Sequence, residues 1–433
     1  MSALARYFVS KGVKVSGYDK TQTELTIQME AEGMKIHFEE NAELVDRNCS
    51  LVIYTPAIPK NHLEWEVIRN MNVPLLKRSE VLGHITRSSF NVCVAGTHGK
   101  TTTSTMVAHI LRDSQWGCNA FLGGISGNYG VNFWSDPKHI CVIEADEYDR
   151  SFLQLSPNMA IITAMDPDHL DIYGDENSFR LAFCDFAEKV KPGGKIFLKH
   201  GLSLNEENIH AAIITYAMDN MQANVFAENI KVREGNYCFD INYGGEKITN
   251  IVLSMGGMHN IENALAAFAV AREMGVETEK IKHALANFKG VHRRFEYVLK
   301  QENCVLIDDY AHHPGELDVL MDSVKQLYPN RKCLLIFQPH LYTRTRDFAD
   351  GFAQSLSKAD ETWLLPIYPA RELPIEGVNS EMIAEKMKCE YVRCLSKEEM
   401  LDAITKTEKG KVIVMAGAGD IDVLVEKVKS KIS

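Results

Sequence analysis

The sequence predicts an α/β protein of three domains. Three observations carry that prediction. A length of 433 residues, at roughly 150 per domain, leaves room for about three. Short apolar strand candidates alternate with amphipathic helix candidates along the chain, the pattern of parallel sheets covered by helices. At 92–103 a strand runs into a glycine turn and then a helix.

Composition removes several classes. The hydrophobic fraction is 45% and the charged fraction 24%, ordinary for a globular enzyme. The net charge of −11 argues against general binding to nucleic acid or to a membrane surface. No apolar run approaches the length of a membrane span, and the first residues lack the basic start and long apolar stretch of a signal peptide. Ten scattered cysteines with no CxxC pair read as reduced, buried thiols of a cytoplasmic protein.

The first domain, residues 1–88, opens with a helix over Ser2–Lys11, then strands at Val13–Gly17 and Leu51–Tyr54 and a Pro-rich turn at 55–59. It reads as a Rossmann-like half-domain whose first strand and glycine turn are missing, since such folds ordinarily begin with that strand. A mis-called start is the expected reason.

The second domain, 89–296, has strands at Asn91–Ala95, Ile140–Ile143, Met159–Thr163 and Lys195–Lys199, a β-rich insertion over Asn224–Leu253, and a helix over Ile261–Met274. Its signature is the phosphate loop Gly96-Thr97-His98-Gly99-Lys100-Thr101-Thr102. Backbone N–H groups of such a turn point at phosphate oxygens, Lys100 reaches a terminal phosphate, and the Thr101 hydroxyl suits Mg²⁺. The strand at 140–143 ends in Glu144, Asp146, Glu147 and Asp149. One or two of these carboxylates are enough to hold a hard cation, and the others read as caps or solvated surface. The next strand leads to Asp166-Pro167-Asp168-His169, where His169 between acids is a candidate second metal ligand.

The third domain, 297–433, repeats the doubly wound pattern, Rossmann-like again. Its strands fall at Cys304–Asp308, Lys332–Phe337, Glu361–Leu365 and Lys411–Met415, and its helices include Gly315–Leu327 and Ser380–Lys388. The loops at its strand ends are rich in His, Arg, Asp and Gly, where such folds place ligands.

Nine strings in order now carry a resemblance: AGTHGKTTT (95–103), IEADEYDRSFLQL (143–155), MDPDHLDIYG (165–174), MHNIENALAA (258–267), GVHRRFE (290–296), DDYAHHPGE (308–316), FQPHLYTRTRD (337–347), IYPARELPIEG (367–377) and AGAGDI (416–421). Together they resemble the Mur ligase family, the ATP-dependent amide-forming enzymes of peptidoglycan synthesis. The resemblance implies a UDP-sugar domain, a central ATPase and an amino-acid-binding domain. It implies a carbon–nitrogen ligase that joins L-alanine to the lactyl carboxylate of UDP-N-acetylmuramate through an acyl phosphate, with ATP and two Mg²⁺ ions. The loop Gly96–Thr102 is placed on the nucleotide, with Thr101 and Glu144 on one metal and His169 on the other. His259, Asn260 and Asn263 match the stretch that borders adenine. Asn263 is the choice for the base, with a helix N-cap at Asn260 as the plainer alternative. Arg294 matches an arginine that reaches the γ-phosphate, and Asp309 the acid near the ribose. Tyr310, His312, His340 and Arg344 match the alanine pocket. Lys100, Arg294, His312 and Arg344 are the expected catalytic set.

Two departures follow. Phe183 and Cys184 stand where several relatives carry a carboxylated lysine. Leu341 stands where some carry a second arginine, so carboxylate binding leans on Arg344 or Arg346, and Leu341 reads as packing against the adjacent helix. A ligase that recycles a whole tripeptide shares the phosphate loop and the EADEYD string, whereas FQPHLYTRTRD and FLQL favour alanine. An inactive, N-terminally incomplete ATP-binding homologue is the reading from another class. The intact Lys100, Glu144, His169 and Arg294 count against it. The expected partners are these small molecules alone, with no nucleic acid and no membrane; the sequence leaves the oligomeric state open.

Overall fold

The computed structural model describes residues 1–167, 170–233, 235–370, 372–389, 391–406 and 410–433. The chain forms two compact units. The first comprises Met1–Ile125, Gly130–Phe226 and Leu265–Ile281; the second Ser126–Tyr129, Ala227–Ala264 and Lys282–Ser433.

In the first unit, the strand Phe90–Ala95 lies between Ile140–Glu144 and Met159–Ile162, all parallel. Asn119–Phe121 adds beyond Ile140–Glu144, and Lys195–Lys199 and then Ala212–Ala217 add beyond Met159–Ile162. Val92, Cys93, Val94 and Ala95 are wholly buried. Helices cover both faces of such a sheet, which is why its strands read as unbroken apolar runs. One face carries an aromatic cluster: Phe152 stacks on Phe186 at 5.0 Å and meets Phe183 edge-on at 5.2 Å, and Tyr173 meets Phe179 at 4.9 Å. Phe183 is thus a wholly buried member of that cluster.

The N-terminal part departs from expectation. The helix Ser2–Ser10 forms as read, but the strand expected at Val13–Gly17 is Ser16–Tyr18. It pairs only with Lys35–His37, while Val52–Tyr54 pairs with Leu75–Lys77. Two short parallel pairs thus replace a single sheet. A cavity of about 200 Å³ is lined by both, including Gly17, Tyr18, His37, Tyr54, Thr55 and Trp65.

In the second unit, Asn236–Tyr243 and Glu246–Leu253 form an antiparallel hairpin around Gly244-Gly245, the insertion expected from alternation. A sheet runs in the order Glu296–Gln301, Cys304–Asp309, Val412–Ala416, Cys333–Phe337, Glu361–Leu364 and Tyr391–Cys394. Its first pair is antiparallel and the others parallel. The helix read over Ser380–Lys388 is only Glu381–Ala384. All ten cysteines are free, yet only Cys93, Cys118, Cys141 and Cys333 are buried, so the expectation of generally buried thiols holds for four. Among the described residues no helix is long and apolar enough to cross a membrane.

Candidate functional site

The phosphate loop is built by its neighbours. The buried strand Phe90–Ala95 delivers Gly96 (φ 136°), and Gly99 (φ 81°) precedes the helix Lys100–Asp113. Both glycines lie in left-handed territory that side chains disfavour. A Cβ on Gly96 would also collide with the Thr163 hydroxyl and the Ala164 N–H. The loop is latched to the end of the next strand. Thr163 Oγ1 donates to His98 O, Thr97 N to Ala164 O at 3.3 Å, and Thr97 Oγ1 to Asp166 O at 2.7 Å. His98 is exposed, and Thr102 is a buried residue of the helix itself.

Thr101 and Glu144 meet as the sequence suggested. The Thr101 hydroxyl donates to Glu144 Oε1 at 3.0 Å, and Gly123 N to Glu144 Oε2 at 2.9 Å. Burial raises the Glu144 pKa above the usual carboxylate range, against Thr101, Lys100 and Gly123, which lower it. Two hard oxygen donors beside a phosphate loop, one of them a carboxylate that burial discourages from ionising, fit a divalent cation such as Mg²⁺. Among the described residues no group of three or more His, Cys, Asp or Glu is set to hold a metal. His169 lies outside the described residues.

The sequence missed the partner of Lys100. Its Nζ donates to Glu147 Oε1 at 2.7 Å, to Gly96 O at 2.7 Å and to Thr97 O at 3.4 Å. Four acids close in sequence gave no way to choose Glu147.

The helix His259–Glu273 begins one turn before Asn263. Asn260 is its second residue and not its N-cap: its amide donates to Gly256 O at 2.6 Å and accepts from Asn263 Nδ2 at 2.8 Å. Both asparagines are buried, and His259 is exposed.

A second cluster sits at the carboxyl ends of Cys304–Asp309 and Cys333–Phe337. Asp309 is stapled by backbone, accepting from Phe295 N and Ala311 N at 2.7 Å each. These bonds hold the turn in which Arg293 (φ 60°) and Phe295 (φ 47°) are left-handed. Burial pushes Asp309 up to about 6 despite them. Tyr310 lies under two guanidiniums, Arg293 at 5.1 Å and Arg294 at 5.7 Å. Arg293 is engaged by Asp308 at 3.4 Å and by Gly417 O, whereas Arg294 is exposed.

His312 and His340 face each other with ring centroids 6.0 Å apart. His312 Nδ1 lies 3.0 Å from Tyr310 O, which fixes the proton on Nδ1 and leaves Nε2 as the acceptor. Burial lowers its pKa, against the raising influence of Glu316; Arg344 and Arg294 lower it further. His340 stacks on Tyr368 at 5.8 Å, with its pKa lowered by burial and then by Arg344, which lies 3.3 Å away. Among the described residues no carboxylate lies within ion-pair distance of Arg344. Arg346, by contrast, is exposed and paired with Asp347 at 2.7 Å. Leu341 does not pack as a helix-face residue: it sits at a strained turn (φ 70°), its N–H on Tyr368 O at 2.9 Å, capping the helix Tyr342–Asp347.

The sequence matches the Mur ligase catalytic domain over residues 1–90, the Mur ligase middle domain over 94–271 and the Mur ligase glutamate ligase domain over 293–419. It is 48% identical, over 99% of the chain and 94% of the relative, to the UDP-N-acetylmuramate–L-alanine ligase of Parabacteroides distasonis. The chain belongs to the Mur ligase family. Among solved structures, this Mur ligase is similar to the UDP-N-acetylmuramate–alanine ligase of Thermotoga maritima (TM-score 0.83, 28% identity, 100% of this chain and 96% of that one). A murein peptide ligase of Psychrobacter arcticus shares the fold with a TM-score of 0.66 at 23% identity, over 100% of this chain and 96% of that one.

Proposed function

We propose that this Mur ligase is a UDP-N-acetylmuramate–L-alanine ligase of the cytoplasm, joining L-alanine to the lactyl carboxylate at the expense of ATP. Full-length likeness to relatives of that name supports the reaction. The observation that carries it in the geometry is Arg344, unneutralised, beside two imidazoles that burial keeps neutral. Such a pocket suits a small zwitterion, with a guanidinium fork for its carboxylate and a basic nitrogen for the proton its ammonium must shed.

The division into a UDP-sugar domain (1–88), an ATP domain (89–296) and an amino-acid domain (297–433) belongs to this proposal, and the cavity near Tyr18 and Trp65 supports the first assignment. Loop amides of 96–102 and Lys100 take the nucleotide phosphates, with Asn263 and His259 toward the base and Asp309 toward the ribose. A lactyl oxygen attacks the γ-phosphorus and ADP departs, leaving an acyl phosphate. The alanine nitrogen then attacks the acyl carbon, inorganic phosphate leaves, and His312 Nε2 accepts the proton. Lys100 and Arg294 offset the negative charge that develops in the first step. Mg²⁺, held by Thr101 and Glu144 with His169 for a second ion, would supply further charge neutralisation when bound.

The test is phosphate release from ATP and Mg²⁺ by the full chain. Release that needs both UDP-N-acetylmuramate and L-alanine is the expected result. Release that accepts tripeptide but not alanine would overturn the reading in favour of recycling, and no release under any combination would overturn it outright.

A further inference from the structure

Glu147 is nearly sealed off, 2% exposed, and its partner Lys100 is largely covered, 15% exposed. The Lys100 ammonium has three N–H bonds, and Glu147, Gly96 O and Thr97 O accept them all. To donate to a phosphate it must release one of these partners. The other Glu147 oxygen, Oε2, is buried and finds no partner among the described residues. The carboxylate therefore depends on Lys100 for its main compensation.

The segment carrying Glu147 is held in an unusual shape. Asp149 and Arg150 are consecutive left-handed residues without being glycine. Lys77 pairs with Asp149 at 3.2 Å, and Arg150 lies over the Tyr173 ring at 5.0 Å. The Tyr173 hydroxyl donates to Glu147 O at 2.5 Å. Backbone strain of this kind persists only where surrounding contacts over-determine it. Here three contacts, two of them through Tyr173, fix the segment that carries the carboxylate facing the phosphate-loop lysine.

We propose that Glu147 is a positioning residue that holds Lys100 across the phosphate loop and competes with nucleotide phosphate for its ammonium. The proposal rests on the ATP reading above. The sign follows whichever way Lys100 moves. If it leaves Glu147, binding loses a buried ion pair. If it stays, a phosphate approaches a second negative charge across one ammonium. In both cases Glu147 weakens ground-state nucleotide binding. It thereby guards against over-tight retention of ATP or ADP, since uniform binding raises no turnover.

The experiment titrates ADP with Mg²⁺ into the full chain by calorimetry, without sugar nucleotide or amino acid. Glu147→Gln is expected to bind ADP at least about fivefold tighter than the wild type. The KM for ATP should fall alongside while kcat falls less than about threefold, the split that marks uniform binding. A carboxylate needed only for folding would give unchanged or weaker binding, and that result in a folded Gln variant overturns the proposal. Should Glu147→Gln fail to fold, Glu147→Asp keeps the charge but withdraws it by one methylene. About twofold tighter ADP binding is then expected, and unchanged or weaker binding overturns the proposal. A wild-type chain that binds no ADP overturns both this proposal and the ATP reading, whereas wild-type binding with an unaltered Gln variant overturns this proposal alone.

Discussion

Replacing Arg344 by alanine should raise the KM for L-alanine by about 30- to 150-fold and leave the KM for ATP within about twofold. The figure comes from the surroundings of the guanidinium. Arg344 is half-buried, has no carboxylate partner among the described residues, and has His340 at 3.3 Å. A hydrogen bond to an ionised partner contributes about 1.5–3 kcal/mol, and water replaces part of a lost fork. A net loss of about 2–3 kcal/mol corresponds to that range, at about 1.4 kcal/mol per decade. Arg344→Lys keeps the charge but loses the planar fork, and should fall between, near tenfold.

Arg346 is the internal control. It is exposed and already paired with Asp347 at 2.7 Å, so its contribution to a second anion is small. Arg346→Ala should change the alanine KM by no more than about twofold. The assay is initial-rate phosphate release with L-alanine varied at saturating ATP and UDP-N-acetylmuramate, then with ATP varied at saturating alanine. Equal rises in both KM values after Arg344→Ala, or an Arg346→Ala effect as large as that of Arg344→Ala, would refute the reasoning.

Lys100→Ala should abolish turnover while circular dichroism shows a folded chain, though a less stable one because Glu147 loses its partner, and a normal kcat in that variant would remove Lys100 from the phosphate role. Replacing Glu316 by Gln withdraws the charge that raises the His312 pKa, so the acid limb of the kcat/KM profile for alanine should move to lower pH; a limb that stays put or moves up would deny His312 the proton. Asp309, raised in the fold to about 6 from an ordinary value near 3.9, binds more protons folded than unfolded between about pH 4 and 6. Its contribution is therefore fully present below about pH 4 and is lost as pH rises through 6, on the order of 2–3 kcal/mol. Denaturant titrations across that window should show a flatter slope for Asp309→Asn, and an unchanged slope would sink this account.

What the sequence makes legible here is burial. The strands Cys333–Phe337 and Val412–Ala416 are buried throughout, and Phe90–Ala95 is buried from Asn91 onward; all three read as apolar runs. Strands at sheet edges do not carry that signal. Tyr391–Cys394 alternates with Tyr391 and Arg393 exposed, and Glu296–Gln301 is antiparallel and half-covered, so neither was expected. The helix read over Ser380–Lys388 is only Glu381–Ala384, and its anchor is at its start, where the Ser380 hydroxyl donates to Leu365 O.

The site divides along the same line between local and assembled information. Thr101 and Glu144 were legible because Glu144 ends one buried strand and Thr101 follows another by a few residues. The choice of Glu147 over its acidic neighbours depends on Tyr173, twenty-six positions on, and on two left-handed residues that no glycine announces. Arg344 and Arg346 make the point most sharply. They are two positions apart on one six-residue helix, and side chains at i and i+2 do not share a face. The string TRTRD offers them as equals. What separates them is Tyr368, whose ring stacks on His340 and whose carbonyl holds the Leu341 N–H that starts the helix. That contact sets the helix phase, so that Arg344 meets the imidazole and Arg346 meets Asp347 and solvent. The residue at 341 is thus a turn-former whose backbone orients Arg344, and its orienting bond is made by main-chain atoms that any side chain there would leave intact.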